Sequence, residues 1–182
     1  GIAIGLAAIV GFQAWQGRQD AQKLEAAKQF ESFLTAQEAG EAEEAAGLAA
    51  SLTTNYAETP YPALAALRRS AALVNEDKAE DALKALEAAL PTTRDETLRQ
   101  LMLLRAARAE LVLGRHDAAL TRLQGVDLEG YAALRDELRG DALAAQGKRD
   151  DARDAYQKAL TGTDVASPTR VLLELKLADA GG

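Results

Sequence analysis

Three alanines constrain this chain more than any other feature. Ala82, Ala119 and Ala152 stand 37 and 33 residues apart, and each sits inside the same local pattern. Four residues after each comes a large side chain (Leu86, Leu123, Tyr156), and seven after comes a small or medium apolar one (Ala89, Val126, Ala159). Twelve residues before each comes a small one: Ser70, Ala107 and Gly140. Gly114 and Gly147 lie five residues before the second and third alanines, and Asp77 takes that place in the first copy. Apolar positions four and seven apart mark one face of a helix, and a glycine before them marks the turn from the preceding helix. Each unit is therefore a pair of helices. The small residue on the first helix lets the second cross closely, and the alanine and the large residue after it interlock with that first helix. One pair cannot bury its apolar face unaided, so the pairs must stack.

A period near 34 with this pattern resembles the tetratricopeptide repeat, and the third copy, Gly140 to Ala159, matches it most fully. The expected fold is all-α: a tetratricopeptide-type helical-repeat solenoid, a right-handed stack from about residue 21 to 179. Composition agrees. Apolar residues make up 48% of the chain and aromatics only 4%, and alanine with unbranched side chains loses little freedom in a helix. No alternating β-branched run predicts a strand.

Residues 59–182 are expected to hold the repeats and a C-terminal capping helix, and residues 18–58 an N-terminal helical pair. In that pair Phe30, Phe33 and Leu34 share one face of a helix over 21–39, and Leu48, Leu52 and Tyr56 share one face of a helix over 42–56. Thr59-Pro60-Tyr61-Pro62 reads as a turn. Thr93 and Glu96 read as a capping box, and Ser167-Pro168 as the start of a last helix whose apolar face is Val171, Leu172 and Leu175. The acidic run Glu41–Glu44 and the pair Asp150-Asp151 stand at helix starts. The run compensates the helix dipole and the pair reads as caps.

The chain opens GIAIGLAAIVGFQAWQGRQD, with no polar side chain from Gly1 to Phe12. Twelve helical residues rise about 18 Å, short of the roughly 30 Å hydrocarbon core of a bilayer. Residues 1–17 are therefore expected to be the exit half of a transmembrane helix, with Trp15 at the lipid–water interface and Gln16, Arg18 and Asp20 on the water side. Gly1, Gly5, Ala7 and Gly11 supply small-residue positions for close packing in lipid. A cleaved signal peptide fits less well, because a cut after Ala14 would put Phe12 where a small residue belongs. A buried core helix would rarely be so free of polar groups.

Charge and chemistry narrow the function. The formal net charge is −7, which argues against nucleic acid, whose phosphates need a basic face. With no cysteine, disulfides, thiolate metal sites and cysteine nucleophiles are excluded. His116, the single histidine, falls in a turn beside Asp117, where an exposed residue without catalytic partners is expected. No phosphate-binding loop, nucleophile elbow or zinc-protease motif is present. The reading is a binding module, not an enzyme, with no cofactor and no metal.

Beyond the repeats, the stretches Asp95 to Leu123 and Leu138 to Tyr156, with Gly130-Tyr131 and Leu138-Arg139-Gly140-Asp141, resemble the YfgM-like family of ancillary subunits of the bacterial SecYEG translocon. That resemblance implies a single-pass inner-membrane protein with its repeats in the periplasm. It implies association with SecYEG and with a PpiD-type membrane-anchored chaperone, and a role as adaptor or chaperone for newly translocated protein clients. A membrane-tethered repeat scaffold in another envelope assembly, such as cytochrome c maturation, is the alternative. In tetratricopeptide stacks the first helix of each pair lines the concave face. With Gly140 at the eighth position of its repeat, the groove-facing polar side chains are Asn75, Arg108, Glu137 and Asp141. An apolar client would use Leu104, Leu111 and Val112 where these escape burial.

Overall fold

In the computed structural model of the chain, residues 2–181 are described, with side chains from Gly11 onward. Every regular element among them is helical. The order is α1 (Ile2–Glu38), α2 (Ala42–Asn55), α3 (Tyr61–Asn75), α4 (Ala79–Ala89), α5 (Glu96–Val112), α6 (His116–Leu123), α7 (Ala132–Ala145), α8 (Arg149–Thr161) and α9 (Thr169–Gly181). Single 3-10 turns, Leu90–Thr92 and Glu129–Tyr131, lead into α5 and α7. Each helix packs on the next, and α1, α3, α5 and α7 also pack on one another in succession. The odd-numbered helices therefore form one layer. The even-numbered helices, on the other side, do not pack on each other to a comparable extent.

The turns set this arrangement. Asp77, Gly114 and Gly147 have φ of 59°, 72° and 76°, the left-handed conformation that ends a helix and reverses the chain. The residue after each donates its backbone N–H to a carbonyl five residues back: Lys78 to Leu73, Arg115 to Glu110, Lys148 to Leu143. The register read from the sequence is the packing register. Ala82, Ala119 and Ala152 are fully buried, as are Ala107 and Leu86, and Leu123, Tyr156 and Val126 are nearly so.

A fourth copy escaped the sequence reading. Gly40 has φ 76°, Glu41 N–H donates to the Ala36 carbonyl, and Ala45, five residues on, is buried. Here the sizes are exchanged. Phe33 stands at the small position of the first helix and Ala49 at the large position of the second, and both join one core cluster with Leu52 and Ala65. Volume is kept while the signature is inverted, so a search for small-then-large passes over it.

Several local expectations are corrected. α5 is capped by Asp95, whose carboxylate accepts from Leu98 N–H at 2.9 Å. Thr93 instead donates to the Ala89 carbonyl, so Thr93 and Glu96 form no capping box. Tyr61 and Pro62 open α3 and do not extend the turn, because proline is accommodated in a first helical turn. Asp150 and Asp151 lie in the first turn of α8 and favour its dipole, but neither caps it. The buried side of α9 is Leu173, with Leu177 and Ala180 packed beside it, while Val171, Leu172 and Leu175 are exposed. α9 carries two apolar stripes, and only contact with α8 decides which is buried.

α1 runs from Ile2 to Glu38 without a break. Gly11 through Glu25 are exposed on every side, and packing begins at Ala26. Gly1 and the side chains of Gly5 and Ala7 lie outside what is described, so their proposed lipid packing is not addressed. Gly11 has nothing within 4 Å of where a Cβ would stand. Phe12 stacks on Trp15 with ring centroids 5.8 Å apart, both rings exposed. Among the described residues no helix is long and apolar enough to cross a membrane.

Candidate partner-binding groove

Three of the four polar residues placed in the groove from sequence do meet there. Arg108 from α5 and Glu137 and Asp141 from α7 line a cavity of about 500 Å³. Asn75 does not line it; it is exposed at the end of α3. The apolar lining includes Leu111, the exposed Val112 and the exposed Leu172 of α9. Leu104 is buried in the core and unavailable to a partner.

The sequence reading missed Lys176. From α9 its ammonium reaches Glu137 Oε1 at 2.8 Å and the Asp141 carboxylate at 2.8 Å, and it lies 5.9 Å from the centroid of the Tyr156 ring. Tyr156 donates its hydroxyl to Asp141 at 2.9 Å. Burial by itself would lower the Lys176 pKa, but its hydrogen bonds to Asp141 and Glu137 outweigh this and raise it. Burial, then the Asp141 charge and hydrogen bond, push the Tyr156 phenol well above its usual range. Gly140 makes room for this cluster. A Cβ there would stand 2.4 Å from Tyr156 Cε1.

This network changes the electrostatic reading. Lys176 offsets one of the two carboxylate charges of Glu137 and Asp141, so these residues do not offer two free negative charges to a partner. Arg108 is exposed and makes no ion pair among the described residues, so it is the groove's unpaired cation. His116 opens α6 and is half-buried, contrary to the exposed turn residue expected, and its Nδ1 is buried without a hydrogen-bond partner. The groove can hold a polypeptide segment through apolar contact at Val112 and Leu172 and a charge-assisted bond at Arg108.

Gln100 is another polar residue missed. It is fully buried in α5, and its Oε1 accepts from the backbone N–H of Asp127 at 2.9 Å and of Leu128 at 2.8 Å. It therefore fixes the loop that aims α7 at the groove. A single glutamine among the charged and apolar residues of α5 gave no sign of a partner 27 residues away.

The stacked helix pairs have a counterpart among known proteins: the tetratricopeptide repeat-like domain family matches residues 1–182. The chain belongs to that family. Over 97% of its length this repeat protein is 29% identical to the ancillary SecYEG translocon subunit of Escherichia coli (strain K12), covering 84% of that relative. It is 26% identical over 86% of its length to the protein of the same name from Haemophilus influenzae, covering 76% of it. Against the Aggregatibacter actinomycetemcomitans protein of that name, identity is 29% over 86% of the chain and 76% of the relative. The resemblance to the YfgM-like family holds along nearly the whole chain.

Proposed function

We propose that this repeat protein is a non-enzymatic adaptor of the bacterial Sec translocon, anchored in the inner membrane by its N-terminal helix with the repeats in the periplasm. The observation that carries this reading is the end-to-end similarity to relatives named ancillary SecYEG translocon subunits. The exposed Phe12–Trp15 pair, at the end of an apolar run and before a fully exposed helical stretch, is consistent with an interfacial anchor. The protein works by binding. Its concave groove takes a segment of SecYEG, of a PpiD-type chaperone or of a newly translocated client, with Arg108 orienting the segment by its charge. The test is retention of SecY by the full chain from mild detergent extracts, with Arg108→Glu as the variant. Retention is expected to fall several-fold while the helical circular-dichroism signal stays unchanged. Undiminished retention would remove the groove from the function. Absence of SecY from the wild-type preparation would remove the translocon assignment itself.

A further inference from the structure

A second surface emerges when the repeats are compared with one another. Between α4 and α6 the stack is tied by two ion pairs, Arg115 to Glu80 at 2.8 Å and Arg122 to Glu87 at 2.7 Å. The offset of 37 residues that carries Ala82 onto Ala119 also carries Ala45 onto Ala82. Moved back by that offset, Arg122 and Glu87 become Ala85 and Ala50. Arg115 and Glu80 become Lys78 and Glu43, but Lys78 pairs with its neighbour Glu76 at 2.7 Å and does not bridge the helices. Both ties are missing between α2 and α4.

An open cleft stands in their place. Two adjoining cavities of about 300 and 390 Å³ share Arg69 and Asp81 in their walls. Their accessible floor is small and apolar: Ala46, Ala50, Ala85 and Ala88. Asp81 is paired with Lys84, whereas Arg69 is half-buried and makes no ion pair among the described residues. At the far end Gln37 Oε1 is buried without a hydrogen-bond partner. A half-buried cation without an ion-pair partner is what a carboxylate-bearing, partly apolar occupant would satisfy.

We infer that the α2–α4 cleft receives one amphipathic helix of a partner polypeptide, which sets apolar side chains on the alanine floor and a carboxylate against Arg69. The cleft is lined by α2, α3 and α4, and the alanines of α2 and α4 let a partner helix approach to ordinary helix-packing distance, about 8–10 Å. Charge complementarity orients that helix, because the unpaired cation Arg69 lies at the junction of the two cavities and the unpaired carboxylate of Glu43 lines one of them, so a carboxylate faces Arg69 and a cation faces Glu43. This surface lies outside the concave groove and does not depend on Arg108.

The repeat register supplies its own test. Ala50→Glu with Ala85→Arg installs the missing bridge and closes the cleft without touching the core. The probe is a phage library of random twelve-residue peptides, selected on the full chain in lipid nanodiscs after subtraction on empty ones. The selected peptides are expected to carry an acidic residue among apolar ones at helical spacing. They should bind at least tenfold more weakly to the closed variant and to Arg69→Gln, and equally well to Arg108→Glu. Thermal melting of each variant shows that it is folded. Peptides indifferent to both cleft variants, peptides without an acidic residue, or no selected peptide at all would overturn the proposal. So would a self-association of the chain that the closed variant abolishes, because the occupant would then be a second copy.

Discussion

Gly140→Ala gives the packing argument a prediction whose sign is at stake. By helix propensity alone, replacing a mid-helix glycine with alanine should stabilise by about 1 kcal/mol. The geometry predicts the reverse. The new Cβ would stand 2.4, 2.5 and 2.9 Å from Cε1, Cδ1 and Cζ of Tyr156, well inside the ~3.5–4.0 Å of ordinary carbon contact. The ring has little room to retreat, since Tyr156 is 3% exposed and its hydroxyl is held by Asp141. Overpacking costs about 1–3 kcal/mol, and a ring displaced from Asp141 also loses part of a charge-assisted hydrogen bond, about 1.5–3 kcal/mol. After the propensity gain, Gly140→Ala should destabilise by about 1–2 kcal/mol, and Gly140→Leu by about 3 kcal/mol, combining these ranges. At about 2–4 °C per kcal/mol for a chain of this length, the alanine variant should melt several degrees below wild type. The assay is thermal unfolding followed by circular dichroism, completed as a double-mutant cycle with Tyr156→Leu. The smaller side chain should remove the penalty and give a coupling of about 1 kcal/mol or more. A Gly140→Ala protein melting at or above the wild-type temperature would refute the close crossing of α7 and α8.

Asp77 occupies the turn position that glycine holds in the other pairs, with φ 59°, so Asp77→Gly should raise stability by about 0.5–1 kcal/mol, and a lowered denaturation midpoint would contradict this. Gln100→Leu strands the backbone N–H groups of Asp127 and Leu128 and should cost about 2 kcal/mol, with hydrogen exchange at those two amides accelerating more than elsewhere. Alkaline pH should loosen the α9 cap. Lys176 and Tyr156 both have raised pKa values in the folded state, so their contribution is complete below the unfolded values, about 10 for both groups, and is lost as pH rises through the folded ones. The melting temperature should therefore fall above about pH 10, and fall less steeply in the Lys176→Met, Tyr156→Phe double variant; equal slopes would show that the cluster is not coupled to folding.

What the sequence by itself determined is the set of features carried by near neighbours. Helix pairs, the turns at Asp77, Gly114 and Gly147, and the buried register of Ala82, Ala119 and Ala152 follow from side-chain periodicity and from the backbone freedom of a few residues. Arg108, Glu137 and Asp141, which that register assigns to one surface, line one cavity. Only the tertiary structure decided the features that depend on partners far along the chain. Lys176 lies 35 residues beyond Asp141, and Gln100 lies 27 residues before the loop it holds. α9 could have buried either of two apolar stripes until α8 chose Leu173. The Phe33–Ala49 exchange hid a fourth helix pair because packing conserves the combined volume of two facing residues, whereas a sequence pattern records the size of each. Likewise Ala50 and Ala85 are ordinary helix residues in the sequence. They become a cleft only when α2 and α4 stand side by side without the ion pair that ties α4 to α6.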